Sequence, residues 1–392
     1  MRTSLLFLGV FLILCSCTKK KEIERKDLPV KVSVTDSLSF KGIIAVQPLF
    51  QAVSEDYVFF RDVGSPRVMV FEKSGQLMYD WAKKGDDPGA FMIVTDNLVC
   101  TPMGELVTHD AMKGIKSFSP SGELVFSKKS MVPPDSFHEL VNLFRTSQVI
   151  KKDGELYLLH HRDHMMRDQV WDPGFFRNRK NLLMTNLESG DQVQLLPFPE
   201  ESKFLNGKAF VFEDFRPVFF FDDKEQLLYL IFQNEAILYQ YDFSGEQPEL
   251  INRFPLDIPG FVGSVGEEFE NLRYGRLKGE EFAARVLGME KVGDNILVSY
   301  TRSATSEELR ELEGVEDRSE RRKKVNALRG KLNPEVLIFR GGEVLTYHVD
   351  MPEMAFDSFR VFDDEFWFMK PGTKEEEQED FTVYRGKLIF ED

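Results

Sequence analysis

Short hydrophobic runs separated by polar turns recur along almost the whole chain. In the clearest copies, an apolar run stops at a Ser-Gly turn and another run follows it: Phe71–Leu77, Phe118–Leu124 and Tyr241–Glu246. Weaker copies surround Gly190, Gly342 and Gly386. Glycine readily adopts the positive φ that such turns require, so each copy predicts a β-hairpin. Six hairpins in one chain indicate an internal repeat.

Each hairpin is preceded by a further apolar run, which predicts another strand, and by a weaker first strand. These second strands are predicted at Tyr57–Asp62, Glu105–Asp110, Glu155–His161, Leu227–Gln233, Asn295–Arg302 and Phe366–Lys370. Six four-stranded units are too many for one sandwich, and no unit can bury both of its faces alone. Radial stacking solves both problems. We therefore predict an all-β fold, a six-bladed β-propeller of four-stranded blades over residues 31–392.

The sequence leaves open how the ring closes. The last hairpin is predicted from Phe381–Tyr384 and Leu388–Phe390, on either side of Gly386. Residues Val30–Ala45 would supply strands to a seventh blade in the main alternative. In a third arrangement, Leu28–Val46 pairs with the last blade and helps to close the ring.

The lengths of the connections divide the ring into two faces. The turns that join first to second and third to fourth strands are short, and we call their side the plain face. The other side, the loop-rich face, carries long insertions at Gly85–Phe91, Met131–Thr146, Arg162–Lys180, Pro199–Arg216, Ile258–Ala284 and Ser303–Pro334. Long loops are often functional, and insertions tolerated at random would decorate both faces. We therefore expect binding on the loop-rich face.

The longest insertion, residues 303–334 in blade 5, has a helical pattern. Thr305 and Glu308 have the spacing of a capping box, and apolar positions follow among dense charges. Gly314 divides the segment into two predicted helices. The basic run Arg321–Lys324 is explained either by a solvated helical hairpin or by contact with anionic lipid or an acidic partner.

The second strands end on the loop-rich face and carry polar side chains there. The candidate binding or catalytic residues are Arg61, Asp62, His109, Asp110, His160, His161, His164 and Arg302. Such groups could serve a hydrolase or lyase in the central funnel, although no nucleophile elbow, phosphate loop or zinc helix accompanies them. Adjacent strand residues point to opposite faces, which argues against one metal ion between His160 and His161. We expect no metal and no cofactor, and favour polar residues that cap the blades.

Residues 50–128 carry a partial resemblance to a known group. Asp62, the strand Arg67–Phe71 with its Ser-Gly turn, and the connection Lys84–Phe91 resemble the six-bladed propeller lipoproteins of Bacteroidota, which are similar to NHL-type and TolB-like propellers. Those proteins often carry a Gly-x-Gly-Pro-Gly-Glu-aromatic connection; here two aspartates precede Pro88 and an alanine replaces the glutamate. The resemblance implies a fold and a cellular address, since most members have no assigned activity.

The N-terminus resembles a bacterial lipoprotein signal. The apolar stretch Leu5–Leu14 is short for a transmembrane span and leads into Leu-Cys-Ser-Cys, which ends at Cys17. The resemblance implies that residues 1–16 are a signal peptide, that Cys17 carries palmitate-type lipid, and that residues 17–30 include a tether. No aspartate follows Cys17, so the implied location is the outer membrane, with the propeller facing the periplasm. A secretory signal with a chance cysteine is the alternative.

Charge and cysteine content narrow the function further. With 65 acidic and 50 basic side chains the formal net charge is -15, which repels phosphate backbones and argues against nucleic acid as a partner. Only Cys17 and Cys100 would remain after processing, so a hydrophobic core must supply the stability. We expect a non-catalytic module that binds a protein, peptide or glycan through its loop-rich face and the membrane through Cys17.

Overall fold

The repeated hairpins fold as blades around a central channel. The computed structural model describes residues 28–41, 44–45, 48–62, 67–83, 85, 87, 89–90, 98–110, 114–129, 147–161, 173–272, 277, 279–354, 359–370 and 381–391. Within them, six sheets of four or five strands account for most of the chain, which confirms the predicted all-β, six-bladed propeller. His164 and Cys17 lie outside the described residues.

The first five blades follow chain order, and each is a four-stranded antiparallel sheet. Blade 1 contains β2 (Pro48–Val53), β3 (Tyr57–Asp62), β4 (Arg67–Glu72) and β5 (Leu77–Ala82). Blade 2 contains β6 (Val99–Cys100), β7 (Leu106–Asp110), β8 (Gly114–Phe118) and β9 (Leu124–Lys128). Blade 3 contains β10 (Ser147–Lys152), β11 (Glu155–His161), β12 (Lys180–Asn186) and β13 (Gln192–Pro197).

Blades 4 and 5 repeat this arrangement. Blade 4 contains β15 (Pro217–Asp222), β16 (Leu227–Phe232), β17 (Ile237–Asp242) and β18 (Glu249–Pro255). Blade 5 contains β20 (Arg285–Val292), β21 (Asn295–Thr301), β22 (Glu335–Arg340) and β23 (Glu343–Thr346). The predicted second strands agree with these bounds to within one residue in both blades.

Blade 6 is completed by a strand from the other end of the described chain. Its inner strands are β25 (Arg360–Phe362), β26 (Glu365–Met369) and β27 (Phe381–Phe390). The outer strand is β1 (Val30–Phe40), which pairs antiparallel with β27 over its whole length and parallel with the short β24 (Val349–Asp350). Of the segment Leu28–Val46 that was predicted to pair with the last blade, Val30–Phe40 does so.

The ring contains six blades, and the seven-bladed alternative is wrong. The first strands β2, β6, β10, β15, β20 and β25 contact one another in a closed cycle of six. The segment assigned to a seventh blade is instead β1, which belongs to the sheet of blade 6. Joining the two ends of the chain in one sheet makes closure depend on backbone hydrogen bonds as well as on packing.

The predicted hairpin at Gly386 is also wrong. Gly386 lies inside the continuous strand β27, opposite Val34. A Cβ atom there would stand 2.9 Å from the Val32 side chain and 3.0 Å from the Ser33 carbonyl oxygen. The glycine therefore allows β1 to approach closely, whereas Gly75 (φ +90°) and Gly122 (φ +86°) do form the predicted turns.

The hydrophobic core is divided among the blade interfaces. Six clusters of buried side chains lie between consecutive blades, one for each interface. The cluster between blades 6 and 1 is built on aromatic rings, including Phe40, Phe60 and Phe381. The cluster between blades 2 and 3 is small, with Val107, Ile115 and Leu158 among its buried members. Polar side chains occupy the rest of that interface.

Small elements decorate the loop-rich face. Four helices are described there: α1 (Phe175–Asn178), α2 (Phe212–Phe215), α3 (Ser306–Arg310) and α4 (Arg318–Lys331). Two 3-10 helices, Lys203–Leu205 and Phe269–Asn271, and the strands β14 (Lys208–Ala209) and β19 (Glu267–Glu268) complete the set. In the described part of the chain, no helix combines the length and apolarity needed to cross a bilayer.

Candidate functional site

The predicted site residues of blades 1 to 3 lie at the ends of second strands, and all of them are buried. Arg61 and Asp62 end β3, His109 and Asp110 end β7, and His160 and His161 end β11. Their exposed fractions are at most 5%. Charged and imidazole side chains are rarely buried this deeply without specific contacts. These side chains are therefore packed inside the blades, at the ends that lie on the loop-rich face.

His109 and His160 meet between blades 2 and 3. Their ring centroids are 4.6 Å apart and the ring planes are inclined by 36°. Each histidine lies two residues after a member of the small hydrophobic cluster of that interface, Val107 and Leu158 respectively. Since alternate strand residues share a face, the two rings extend that cluster towards the loop-rich face.

His161 points to the opposite side of blade 3. Its ring lies 5.7 Å from the ring of Phe212, the first residue of α2 on the connection into blade 4. Adjacent residues of β11 therefore serve different blade interfaces, as the alternation of strand side chains requires. A single ion held between His160 and His161 does not fit this arrangement. Within the described residues, no group of three or more His, Cys, Asp or Glu side chains is arranged to hold a metal.

Arg61 and Asp110 belong to a third interface. Arg61 lies two residues after Phe59, and Asp110 lies four residues after Leu106; both hydrophobic residues pack between blades 1 and 2. The alternation of strand side chains places the guanidinium and the carboxylate on facing sheets at the same end of the ring.

Arg302 does not join the other candidates. It follows β21 in blade 5 and donates two hydrogen bonds of 2.8 Å to the carboxylate of Glu308 in α3. These hydrogen bonds lower the pKa of the Glu308 carboxyl to about 2. Glu308 also completes the capping box with Thr305, as the sequence predicts. Arg302 thus fixes the start of the insertion, and its part in a binding or catalytic site stays a prediction.

The candidate residues of blades 2, 3 and 5 make different contacts. His109 and His160 share one blade interface, His161 serves another, and Arg302 binds the insertion of blade 5. General acid–base chemistry needs its groups within hydrogen-bond reach of one substrate. The ring contacts of the histidines and the hydrogen bonds of Arg302 join these residues to different neighbours.

A cluster of ionisable residues on blade 4 was missed in the sequence. Lys203 donates hydrogen bonds from Nζ to Asn234 Oδ1 (2.7 Å) and to the carbonyl of Ser264 (2.9 Å). Glu235 accepts hydrogen bonds from the Lys203 backbone N–H (2.9 Å) and from the Tyr239 hydroxyl (3.0 Å). Asn234 and Glu235 follow the second strand of blade 4, where blades 1 to 3 carry their polar residues, so the same rule could have found them.

Burial shifts the pKa values of the ionisable groups in this cluster. It lowers the pKa of the Lys203 ammonium to about 8 and raises the pKa of the Glu235 and Asp214 carboxyls. Perturbed groups of this kind often mark functional sites. Here, however, Gly263 packs so closely that an added Cβ would lie 2.7 Å from Lys203 Nζ. The cluster is closely packed around the ammonium, and it ties two long connections to the end of blade 4.

Three insertions form one connected layer over blades 4 and 5, which we call the platform (residues 199–216, 256–272, 279–284 and 302–334). Strands β14 and β19 join the first two insertions in a small antiparallel sheet. The third insertion is attached by hydrogen bonds from Ser303 Oγ to the Gly260 carbonyl (2.8 Å) and from the Ala304 N–H to the Phe282 carbonyl (3.0 Å). An ion pair of 2.6 Å joins Arg329 to Glu281.

The platform carries a groove between α3, the turn before α4 and the segment around Phe282. Its volume is about 460 Å³. The apolar lining residues are Phe282, Leu309, Leu312 and Val315, and the charged ones are Glu281, Glu313, Glu316 and Arg321. Glu281 is paired with Arg329, so Glu313 and Glu316 against Arg321 give the groove an acidic rim.

This protein resembles known proteins in its fold and not detectably in its sequence. No family model matches the sequence, and no curated protein is detectably similar to it. A member of the DUF4221 family from Bacteroides vulgatus has a similar structure, with a TM-score of 0.62 and 11% identity, covering 93% of this chain and 100% of that one. A protein of Bacteroides fragilis described as a candidate exported protein gives a TM-score of 0.52 and 9% identity, covering 94% and 97%. The predicted resemblance to propellers of Bacteroidota is thus confirmed in the fold, which this chain shares with both Bacteroides proteins over nearly its full length.

Proposed function

We propose that this protein is a lipid-anchored, non-catalytic binding module that captures a protein or peptide through the platform on its loop-rich face. The observation that carries the proposal is the platform itself. Three insertions are tied together by a sheet, hydrogen bonds and an ion pair. A preorganised surface loses less conformational entropy on binding than separate loops would.

The chemistry of the groove favours a peptide segment over a glycan. Leu309 is 38% exposed at the groove, and Val262 and Val265 of the same platform are 64% exposed. Exposed apolar side chains beside an acidic rim suit a partner with apolar anchors and flanking basic residues. A glycan would instead call for aromatic faces, and the groove lining contains one phenylalanine.

Membrane attachment through Cys17 is the second part of the proposal. The described chain enters the ring at Val30, on β1, which lies between β27 and the short edge strand β24 of blade 6. Val30 lies thirteen positions after Cys17, and an extended segment of that length reaches roughly 45 Å. Such a tether would leave the platform free to meet a partner in the periplasm. A Cys17→Ser variant should lose incorporation of a clickable palmitate analogue and leave the membrane fraction. Retention of both would argue against the anchor.

Site-specific photocrosslinking in cells that express the protein tests the platform. A photoreactive residue replaces Leu309, and the matched control carries it at Met78, which is 37% exposed on β5 of blade 1. We expect a discrete adduct from Leu309 that is absent from Met78. Glu313→Lys with Glu316→Lys in the Leu309 background should weaken it, because these changes reverse the charge of the rim. Equal adducts from both positions, or none from Leu309, would refute the proposal.

A further inference from the structure

A cavity of about 640 Å³ opens at the plain-face end of the central channel. First strands from four blades contribute to its wall, namely β2, β6, β10 and β25. The lining includes Ser54, Thr101 and Asp363, which lie in or beside the short turns between first and second strands. The cavity therefore lies at the opposite end of the ring from the buried histidines, on the face where the sequence analysis predicts no site.

The wall of the cavity is largely apolar. Val53, Val99, Val149 and Phe362 line it, together with the thiol-bearing Cys100. Its volume is within the range of about 300–1,000 Å³ that is typical of small-molecule sites. Such sites combine apolar walls with a few fixed polar groups that orient the ligand.

Two cations line this cavity. Lys73 extends from the turn of blade 1, and its Nζ lies 4.4 Å from the centroid of the Phe362 ring. Arg360 is 8% exposed, and it donates hydrogen bonds from Nε to the Gln51 carbonyl (2.7 Å) and from a terminal nitrogen to the Phe359 carbonyl (2.5 Å). Both charges are thus held in position by the propeller.

Two carboxylates also line the cavity, but they lie in exposed turns. Glu55 and Asp363 are exposed, so water screens the charges of their carboxylates. Burial lowers the pKa of the Lys73 ammonium, even though Asp363, Asp56 and Glu55 act in the opposite direction. The neighbouring carboxylates therefore do not compensate for the desolvation of Lys73, and an anion placed inside the cavity would gain more from this cation than one in bulk water.

We propose that the cavity binds a small organic carboxylate with an apolar or aromatic body. The carboxylate lies between Lys73 and Arg360, and the body packs against the valines of the first strands. This site is independent of the platform and takes a different class of ligand. A ligand there would contact blades 1, 2, 3 and 6 together, so its binding would stabilise the closed ring.

The test uses Cys100 as a reporter, because this residue lines the cavity and donates a hydrogen bond from Sγ to the Val53 carbonyl (3.3 Å). In the full chain with Cys15→Ser and Cys17→Ser, Cys100 is the only remaining thiol. Its rate of modification by methyl methanethiolsulfonate, a small neutral reagent, is measured with increasing 2-naphthoate. We expect saturable protection that yields a Kd. The uncharged isostere 2-naphthamide should protect about tenfold less well, because it lacks the charge-assisted contacts.

Two variants locate the charge and the cavity. Lys73→Met keeps most of the side-chain stem and should weaken 2-naphthoate binding about tenfold without changing 2-naphthamide binding. The matched control Lys224→Met removes an exposed lysine from a plain-face turn of blade 4 and should change neither. Calorimetric titration should show that Val149→Trp, which fills the cavity, abolishes naphthoate binding. Each of three results would overturn the proposal: no protection of Cys100, equal protection by acid and amide, or an unchanged Kd in Lys73→Met. None of these results depends on whether Val149→Trp folds.

Discussion

Phe40 is the residue through which β1 holds the ring closed, and Phe40→Ala tests that closure directly. The Phe40 ring is fully buried. Its centroid lies 4.6 Å from that of Phe71, 5.0 Å from that of Phe60 and 5.6 Å from that of Phe381. One side chain of β1 therefore contacts both blade 1 and the central strand of blade 6.

The expected cost follows from this burial. Truncating a fully buried phenylalanine to alanine costs about 3–5 kcal/mol, and three close aromatic neighbours favour the upper part of that range. For a chain of this length, such a loss lowers the melting temperature by roughly 5 °C. Because β1 is hydrogen-bonded to β27 along its length, the loss should affect the whole ring and not only the N-terminal strand.

Equilibrium unfolding in urea, followed both by far-UV circular dichroism and by tryptophan fluorescence, measures this cost. Trp367 belongs to the same buried cluster as Phe40 and reports on that interface. The matched control is Phe390→Ala, since Phe390 pairs with Val30 at the other end of the same two strands and is 37% exposed. It should cost less than about 1 kcal/mol. A similarly small loss for Phe40→Ala, or separate transitions in the two signals, would refute closure by β1.

Two further predictions concern local contacts. Gly386→Ala should lower the free energy of unfolding by about 1–3 kcal/mol because its Cβ would meet Val32 and Ser33. Gly330→Ala in α4 has open space around it and should raise the free energy of unfolding by about 0.5–1 kcal/mol. Urea titrations of both variants measure these changes, and equal effects would contradict the close approach of β1. Glu308→Gln should reduce hydrogen-exchange protection of α3. The folded pKa of Glu308 is depressed, so the stabilisation by its carboxylate is complete above about pH 4.5 and is lost as the pH falls towards about 2. A difference in protection between wild type and variant that disappears already between pH 7 and pH 5 would contradict the Arg302 contact.

The blades were predictable because their signals are local. A short apolar run and a glycine turn are properties of about ten consecutive residues, and β3, β11 and β16 begin where the pattern places them. The same reasoning placed His109 and His160 at strand ends. Strand geometry also gave the correct result that His160 and His161 face different ways.

The site was less predictable, because its contacts join distant parts of the chain. Glu308 is close to Arg302 in sequence, but the two side chains form a hydrogen bond only because α3 folds back onto blade 5. Lys203 meets Asn234 and Ser264 only after two insertions cross the end of blade 4. The periodicity of the sequence does not predict contacts of this kind, so the sequence could name candidate residues but not their partners.

The sequence by itself determined the repeat of β-hairpins, the uneven lengths of the loops and the polar ends of the second strands. Only the tertiary structure decided that β1 completes blade 6, that Gly386 is a point of close approach and that a cavity with Lys73 and Arg360 opens on the plain face. The physical reason is that a hairpin is stabilised by neighbours in sequence. Closure of the ring, burial of the histidines and the shape of the channel depend on side chains brought together from different blades.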